Sequence, residues 1–577
     1  MDGYLGASGA AHLDVTLNPT STVNTNVPPI TNGEVVVAVT APANDLLTTS
    51  SNINVTGTVR GSGRGLGETT VNITVNSNAP VAATLGNASA VTRWTLTNVS
   101  LNPGVNVITA QGLSDNADGT QNASALVSRN VFVVPALPTS GNKSTITLLT
   151  NGSGHILGVA NQAALEVNKI YKVTAEPMAN WLFTNWTSGT NINSLAPLQP
   201  NTATLPFVMS SNLILQANFI TNPFPAVAGE YNGLFSPVTG VTEESSGFFS
   251  ATVPPTGKGA FSAKLMLDGG SYAFSGTFDL SGNAGKAITR PGKPYVIAEL
   301  HLNLAAPDDQ LTGTIIDGAN PGWLSQLQAD RAVFNAKSNP ATNYNGRYTF
   351  IIPPGDGAPT NDPGGYGYAT LTNSTAGNVE LVGRLGDGTA ISQSVPISKD
   401  GYIPLYVSLY SRQGSLLGWL AVTNNASNSP PQTLLGNNLS WIKLSSKGHG
   451  LYAAGFTNAN LSVLGSFYVP QKSGADVLPL LTNATLILSN GDLSSPLVYS
   501  NLTFNGDKLV DTDPNNPSNP LTGAIVPGTG VLTLSFRPTG VNHNITASGV
   551  VLPGQTSTNA AGWFLGTNQS GFFLLEQ

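Results

Sequence analysis

The chain has 577 residues, 9% of them charged and 40% hydrophobic, and no cysteine; this excludes the high-charge disordered class, disulfide scaffolds and thiolate chemistry. A net charge of −7, with 23 Lys and Arg thinly spread, excludes the clustered basic surface that nucleic-acid binding requires. No apolar run approaches the roughly 18 residues of a membrane-spanning helix, and Met1-Asp2-Gly3-Tyr4-Leu5 lacks the basic and apolar regions of a signal peptide, so the expectation is an exported protein whose leader has been removed.

Asn, Thr, Ser and 63 Gly take the place of charge. Thr suits strands, while Gly, Asn and Pro suit turns. The balance predicts an all-β, multidomain chain of about three to five domains: an Ig-like sandwich, a small β-repeat domain, then antiparallel barrel or sandwich modules.

Residues 1–33 read as an extended arm or linker. His12-Leu13-Asp14-Val15-Thr16-Leu17 alternates weakly, so the arm could exchange as a strand into a neighbouring copy's sheet; the plainer alternative is a frayed end.

Residues 34–135 alternate with period two between turn signals, through Glu34–Val39, Asn52–Val59, Thr70–Val75, Trp94–Leu96, Leu101–Ala110 and Val127–Val133. About seven short strands at this spacing predict a two-sheet sandwich. Val39-Thr40-Ala41-Pro42-Ala43-Asn44, Asn54-Val55-Thr56-Gly57-Thr58-Val59 and Asn102-Pro103-Gly104 resemble bacterial Ig-like domains, which implies a spacer or binding module.

Residues 140–221 open with Thr145–Leu148 and a turn at Asn151-Gly152-Ser153-Gly154, and a strand ends at Ala175-Glu176-Pro177. Phe183-Thr184-Asn185-Trp186 and Ala217-Asn218-Phe219 follow. This segment resembles the divergent internalin-type B repeat of bacterial surface proteins. Regular alternation would put Trp181 and Phe183 on one strand face, as an aromatic core or, alternatively, a sugar-stacking platform.

Beyond residue 224 come modules expected at 224–337, 338–436 (which could share one barrel with the first) and 437–577. Gly229–Phe235 and Tyr344–Phe350 open two runs of hairpins in the same order, starting with a "Y-x-G" signature and pointing to an internal duplication of period near 115. Tyr406–Tyr410, Gly414–Leu420 and Phe564–Gly571 resemble the C-terminal module of uncharacterised exported proteins of Verrucomicrobia-like bacteria, implying location and fold class alone. One helix is predicted, over Pro321–Ala332, whose tail could equally be a strand.

No catalytic constellation is legible. The five histidines are scattered, and there is no nucleophile-elbow Ser and no phosphate-loop Lys. Glu243, Glu244, Asp268, Asp279, Asp308 and Asp309 are the acids a glycosidase could use; solvated loop acids are the simpler reading. Asp511, Asp513 and Asn516 place oxygen ligands at i, i+2 and i+5, which makes calcium the cofactor to expect if any is bound; the alternative is an Asx-rich turn. Asp115-Asn116-Ala117-Asp118-Gly119 is a weaker cluster. More than a dozen N-x-S/T sequons follow from the Asn and Thr content.

The functional expectation is a non-catalytic extracellular or cell-surface protein, an adhesin-like stalk or an assembly subunit. Its partners would be surface or matrix proteins, or further copies of itself. The alternative is a secreted carbohydrate-binding or carbohydrate-processing protein, with Trp323, Trp419, Trp441 or Trp563 stacking on polysaccharide.

Overall fold

The computed structural model describes residues 35–577 apart from 62–68, 77, 87–91, 116–120, 139–140, 199–201, 306, 319–321, 425–431, 448–449, 480, 512, 518–519 and 556–557. The proposed arm and most of the weaker Asx cluster lie outside the described residues. Among the described residues all regular structure is strand except two 3₁₀ turns, Ile192–Ser194 and Phe224–Val227. The protein is all-β, as its β-branched and turn-forming composition predicts.

Residues 35–133 form a two-sheet sandwich. One sheet orders Val35–Ala41, Asn52–Gly61, Thr92–Ser100 and Thr84–Leu85; the other centres on Gly104–Asp115, flanked by Val127–Val133 and Thr69–Val75. Val37, Val55, Ile73, Ile108 and Val131 fill the space between them around the fully buried Trp94, which is the inward half of the period-two pattern.

Residues 143–221 form a small unit of three short sheets. Here the regular alternation fails. A bulge between Phe183 and Asn185 shifts the register against Ile214–Thr221, and Thr184 donates its hydroxyl to the Asn218 carbonyl. The extra residue turns Trp186 onto the Phe183 side, with ring centroids 5.7 Å apart. The buried aromatic is therefore Trp186, while Trp181 is half-buried beside it, which is the small aromatic core and not a platform.

Three eight-stranded meanders follow. The first runs Gly229–Ser236, Gly247–Val253, Ala260–Leu267, Gly270–Thr277, Asn283–Arg290, Lys293–Leu302, Gln310–Asp317 and Leu324–Arg331. Its first strand pairs with both the second and the eighth. The ladder stops between the fourth and fifth strands, which still run side by side, giving a barrel open along one seam. The second meander, from Gly346–Ile352 to Phe456–Tyr468, repeats this order and opens at the same place. The third, from Ala484–Asn490 to Ser570–Glu576, closes completely. Eight strands leave an interior that side chains can fill, and Phe249, Leu265, Val296 and Ile315 fill the first, as Phe350, Leu371, Leu405 and Leu434 fill the second.

Several expectations are corrected. The sequence 338–436 does not share a barrel with 224–337: each run of eight strands rolls up on itself. The expected division at 436/437 moves, because Gln432–Lys443 and Phe456–Tyr468 pair into the second barrel. The helix expected over 321–332 is a strand at Leu324–Arg331, where Ser325, Leu327 and Ala329 point inward and Leu324, Gln326 and Gln328 outward; pairing to both neighbours overrides a weak helical propensity. The duplicated opening is G-x-Y rather than Y-x-G. Gly229 and Gly346 both have positive φ, and the following Tyr231 and Tyr348 are buried equivalents.

Asparagine also acquires a structural reason. Asn98, Asn438, Asn460 and Asn501 adopt positive φ beside register shifts in their ladders. Asn tolerates the left-handed region better than other side-chain-bearing residues, so several sequons mark β-bulges.

Candidate functional site: a cleft at the junction of two barrels

The described residues form a cleft of about 420 Å³ where the first barrel ends and the second begins. Asp309 and Arg331 come from the first barrel. Phe334, Thr342 and Tyr344 lie on the connecting segment, and Lys399 on the turn before the second barrel's fifth strand.

Backbone bonds fix these groups. The Arg331 N–H donates to the Asp309 carbonyl at 2.7 Å, and the Ala332 N–H to the Glu230 carbonyl at 2.8 Å. The connecting segment folds on itself through the Asn335–Asn339 bridge and the Tyr344 N–H to the Ala341 carbonyl. Tyr344 donates its hydroxyl to the Lys399 carbonyl at 3.0 Å, tying the segment to the second barrel. Phe334 meets Tyr344 edge-on, centroids 5.9 Å apart.

The charges are mutually compensated. Arg331 pairs with Asp309 and also donates to the carbonyls of Ala226 and Ala228 at 2.8 and 3.1 Å. Its Nε is buried and lacks a partner. Lys399 pairs with Asp400 at 3.0 Å, and that hydrogen bond raises the Lys399 pKa. Burial raises the Tyr344 phenol above its ordinary value.

The glycosidase-type acids disperse. Asp279 caps a turn by accepting from the Ser281 and Asn283 N–H groups. Asp308 accepts from the Gln310 N–H, Asp309 holds Arg331, and Glu244 is exposed. Asp268 pairs with Lys293 and, at 3.9 Å, with Arg290. Glu243 departs from the solvated-acid reading. It is only 5% exposed in the contact between the first two barrels, and it accepts from the Ser415 hydroxyl while its Oε1 is buried without a partner. Burial raises its pKa, with Asp268 adding to the effect.

The residues read as calcium ligands do come together. The Asn516 amide donates to Asp511 at 2.7 Å and to the Ser500 carbonyl at 2.7 Å. Asp513 accepts from Asn515 and Asn501, which holds its carboxyl below the usual range. As arranged, the loop is a set of Asx hydrogen bonds stitched to the strand Leu497–Asn505. Among the described residues no three His, Asp or Glu side chains converge as a metal-ligand set.

None of the four tryptophans read as stacking faces is fully exposed. Trp441 is 3% exposed and donates its indole N–H to Tyr410 at 3.0 Å. Trp323 packs on the first barrel's core, Trp419 on the second's, and Trp563 in the contact between the second and third. Asp309 and Tyr344 were singled out in the sequence for other reasons, but their convergence was not legible, because Phe334, Thr342 and Tyr344 lie in an irregular segment where no period marks which side chains meet; a Phe and a Tyr flanking Asn, Pro and Thr was the available signal.

No protein-family model and no curated protein matches the chain. Among solved structures it is similar to protocadherin gamma B2 extracellular cadherin domains 3–6, at 11% identity over 52% of this chain and 77% of that one, with a TM-score of 0.13. It is also similar to a tetra-tandem repeat in the extending region of a large adhesion protein, at 12% identity over 91% and 100%, TM-score 0.13. A third is the I-band fragment I67–I69 from titin, at 10% identity over 64% and 99%, TM-score 0.13. At these scores the chains do not superpose as wholes, and neither fold nor function is drawn from them.

Proposed function

We propose that the protein is a non-catalytic, load-bearing element of an extracellular or cell-surface structure, an adhesin-like stalk or an assembly subunit. One observation carries this reading: successive units share hydrophobic cores. Leu182 of the small unit lies in the core of the first barrel. Leu234 and Phe248 of the first barrel lie in the core of the second. Ile351 and Tyr368 of the second pack with Val550, Leu552 and Ala561 of the third.

Hydrogen bonds reinforce the last contact. Thr349 donates to the Val551 carbonyl at 2.6 Å, and the Ser570 N–H donates to the Tyr452 hydroxyl at 2.8 Å. Bending at such a junction would expose apolar surface, at about 25 cal/mol per Å². The sandwich, in contrast, meets the small unit through the Lys172–Asp45 pair at 2.9 Å, whose lysine is exposed; exposed pairs add little stiffness. A stiff body with a compliant N-terminal module suits a stalk.

Partners would be surface or matrix proteins, or further copies through exchange of residues 1–33. The test is single-molecule stretching beside negative-stain microscopy of native material. Residues 143–577 should behave as one stiff body. Beads on a flexible string would sink the proposal, and a protein that never adheres to cells, matrix or itself would remove its adhesive half.

A further inference from the structure

We propose that the cleft between the first two barrels binds a neutral saccharide. This goes beyond the load-bearing reading and does not depend on it. At about 420 Å³ the cleft falls within the ordinary range of ligand pockets, about 300–1,000 Å³.

Three features select the ligand class. First, Arg331 is matched by Asp309 and Lys399 by Asp400. An anion or cation entering would upset this balance of charge, whereas a neutral molecule uses the spare lone pairs and protons of the ionised groups. Hydrogen bonds to ionised groups are stronger than those between neutral ones, so hydroxyls can be recognised without net charge. Second, Phe334 and Tyr344 provide an aromatic wall, which suits the C–H face of a pyranose. Third, Asn339 and Thr342 bring a neutral amide and a neutral hydroxyl to the lining, groups that exchange hydrogen bonds with hydroxyls. A ring with one apolar face and a rim of hydroxyls meets all three conditions; a peptide or a phosphate does not.

The cleft is separate from the tryptophan stacking faces expected from the sequence, because none of those residues lines it. It lies on the segment joining two barrels, so an occupant would touch both.

The full chain is applied to an array of neutral and acidic polysaccharides. Wild type should bind a subset of the neutral ones. Thr342 is exposed at the mouth, so Thr342→Trp should obstruct the cleft and reduce binding to background. Val238→Ala, at an 88% exposed position that does not line the cleft, should bind as wild type at unchanged Tm. As a second measurement, hydrogen exchange on wild type with the neutral saccharide that binds best should show new protection across 332–345. Binding of acidic glycans alone, binding that survives in folded Thr342→Trp, no neutral binding, or no protection of 332–345 would each overturn the proposal. A flexible chain in the stretching experiment would leave it standing.

Discussion

Glu243 of the first barrel and Ser415 of the second are joined by a hydrogen bond inside the contact between the two barrels. The second Glu243 oxygen is buried without a donor, so the contact tolerates a protonated side chain better than a carboxylate. Asp268, Lys293 and Tyr406 are the other titratable groups that feel this site.

A pH dependence follows. The Glu243 pKa is raised in the folded protein, chiefly by burial. For a raised carboxyl pKa, the stabilising contribution is complete below the ordinary carboxylate value and is lost as pH rises through the folded one. Melting curves should show the junction weakening as pH rises from that range, by at most about 1–3 kcal/mol, the cost of an unpaired buried group. Glu243→Gln should flatten this part of the profile; an unchanged profile would refute the assignment.

Tyr231 donates to the Val227 carbonyl at 2.6 Å and Tyr348 to the Tyr344 carbonyl at 3.0 Å, each four residues back. Tyr231→Phe and Tyr348→Phe should each cost about 1–3 kcal/mol in thermal or denaturant unfolding. Tyr231 should also resist ionisation until about pH 12, because burial raises its phenol. Unequal costs would show that the two tyrosines are not equivalent despite the repeat.

The second barrel's seam is bridged by a side chain. Gln393 donates to the Pro404 carbonyl at 2.9 Å and accepts from the Tyr406 N–H at 3.0 Å, supplying the two bonds a ladder would make. Gln393→Ala should accelerate exchange of the Tyr406 amide and cost about 1–3 kcal/mol. An unaltered Tyr406 amide would mean that the seam is protected by something else.

Gly282 and Gly292 both have positive φ. A Cβ on Gly282 would meet the Leu302 carbonyl at 1.9 Å, whereas one on Gly292 meets nothing within 4 Å. Gly292→Ala should cost about 1–2 kcal/mol from backbone conformation alone. Gly282→Ala should cost clearly more, since backbone must also shift. Equal melting temperatures for the two variants would contradict this.

Calcium at Asp511, Asp513 and Asn516 has its own test. A cation would need the Asn516 amide to turn its oxygen inward, yet that oxygen already accepts from the Ser500 N–H at 2.7 Å. Asn516→Ala should therefore lower stability by about 1–3 kcal/mol without calcium. Any rise of Tm with added calcium should vanish in Asp513→Asn; if it persists there, the cation binds elsewhere.

Period-two alternation and turn residues determined by themselves that the chain is β throughout and where most strands run, because each choice rests on neighbours in sequence. The duplication was legible for the same reason, although its opening was read four residues out of register: Tyr344 and Tyr348 both sit near a glycine, and only the buried hydrogen bond tells them apart. The bulges at Phe183/Asn185 and the Asn-marked ladders were not legible, since one extra residue changes the face of everything after it without a strong local signal.

Tertiary structure alone decided which strands close which barrel, moving 437–468 into the second, because pairing partners far apart in sequence compete on packing and not on propensity. It alone buried Glu243 and Trp441, and it alone gathered Asp309, Arg331, Phe334 and Lys399 around one cleft. A site assembled from the end of one barrel, a connecting segment and a turn of the next has no period to betray it.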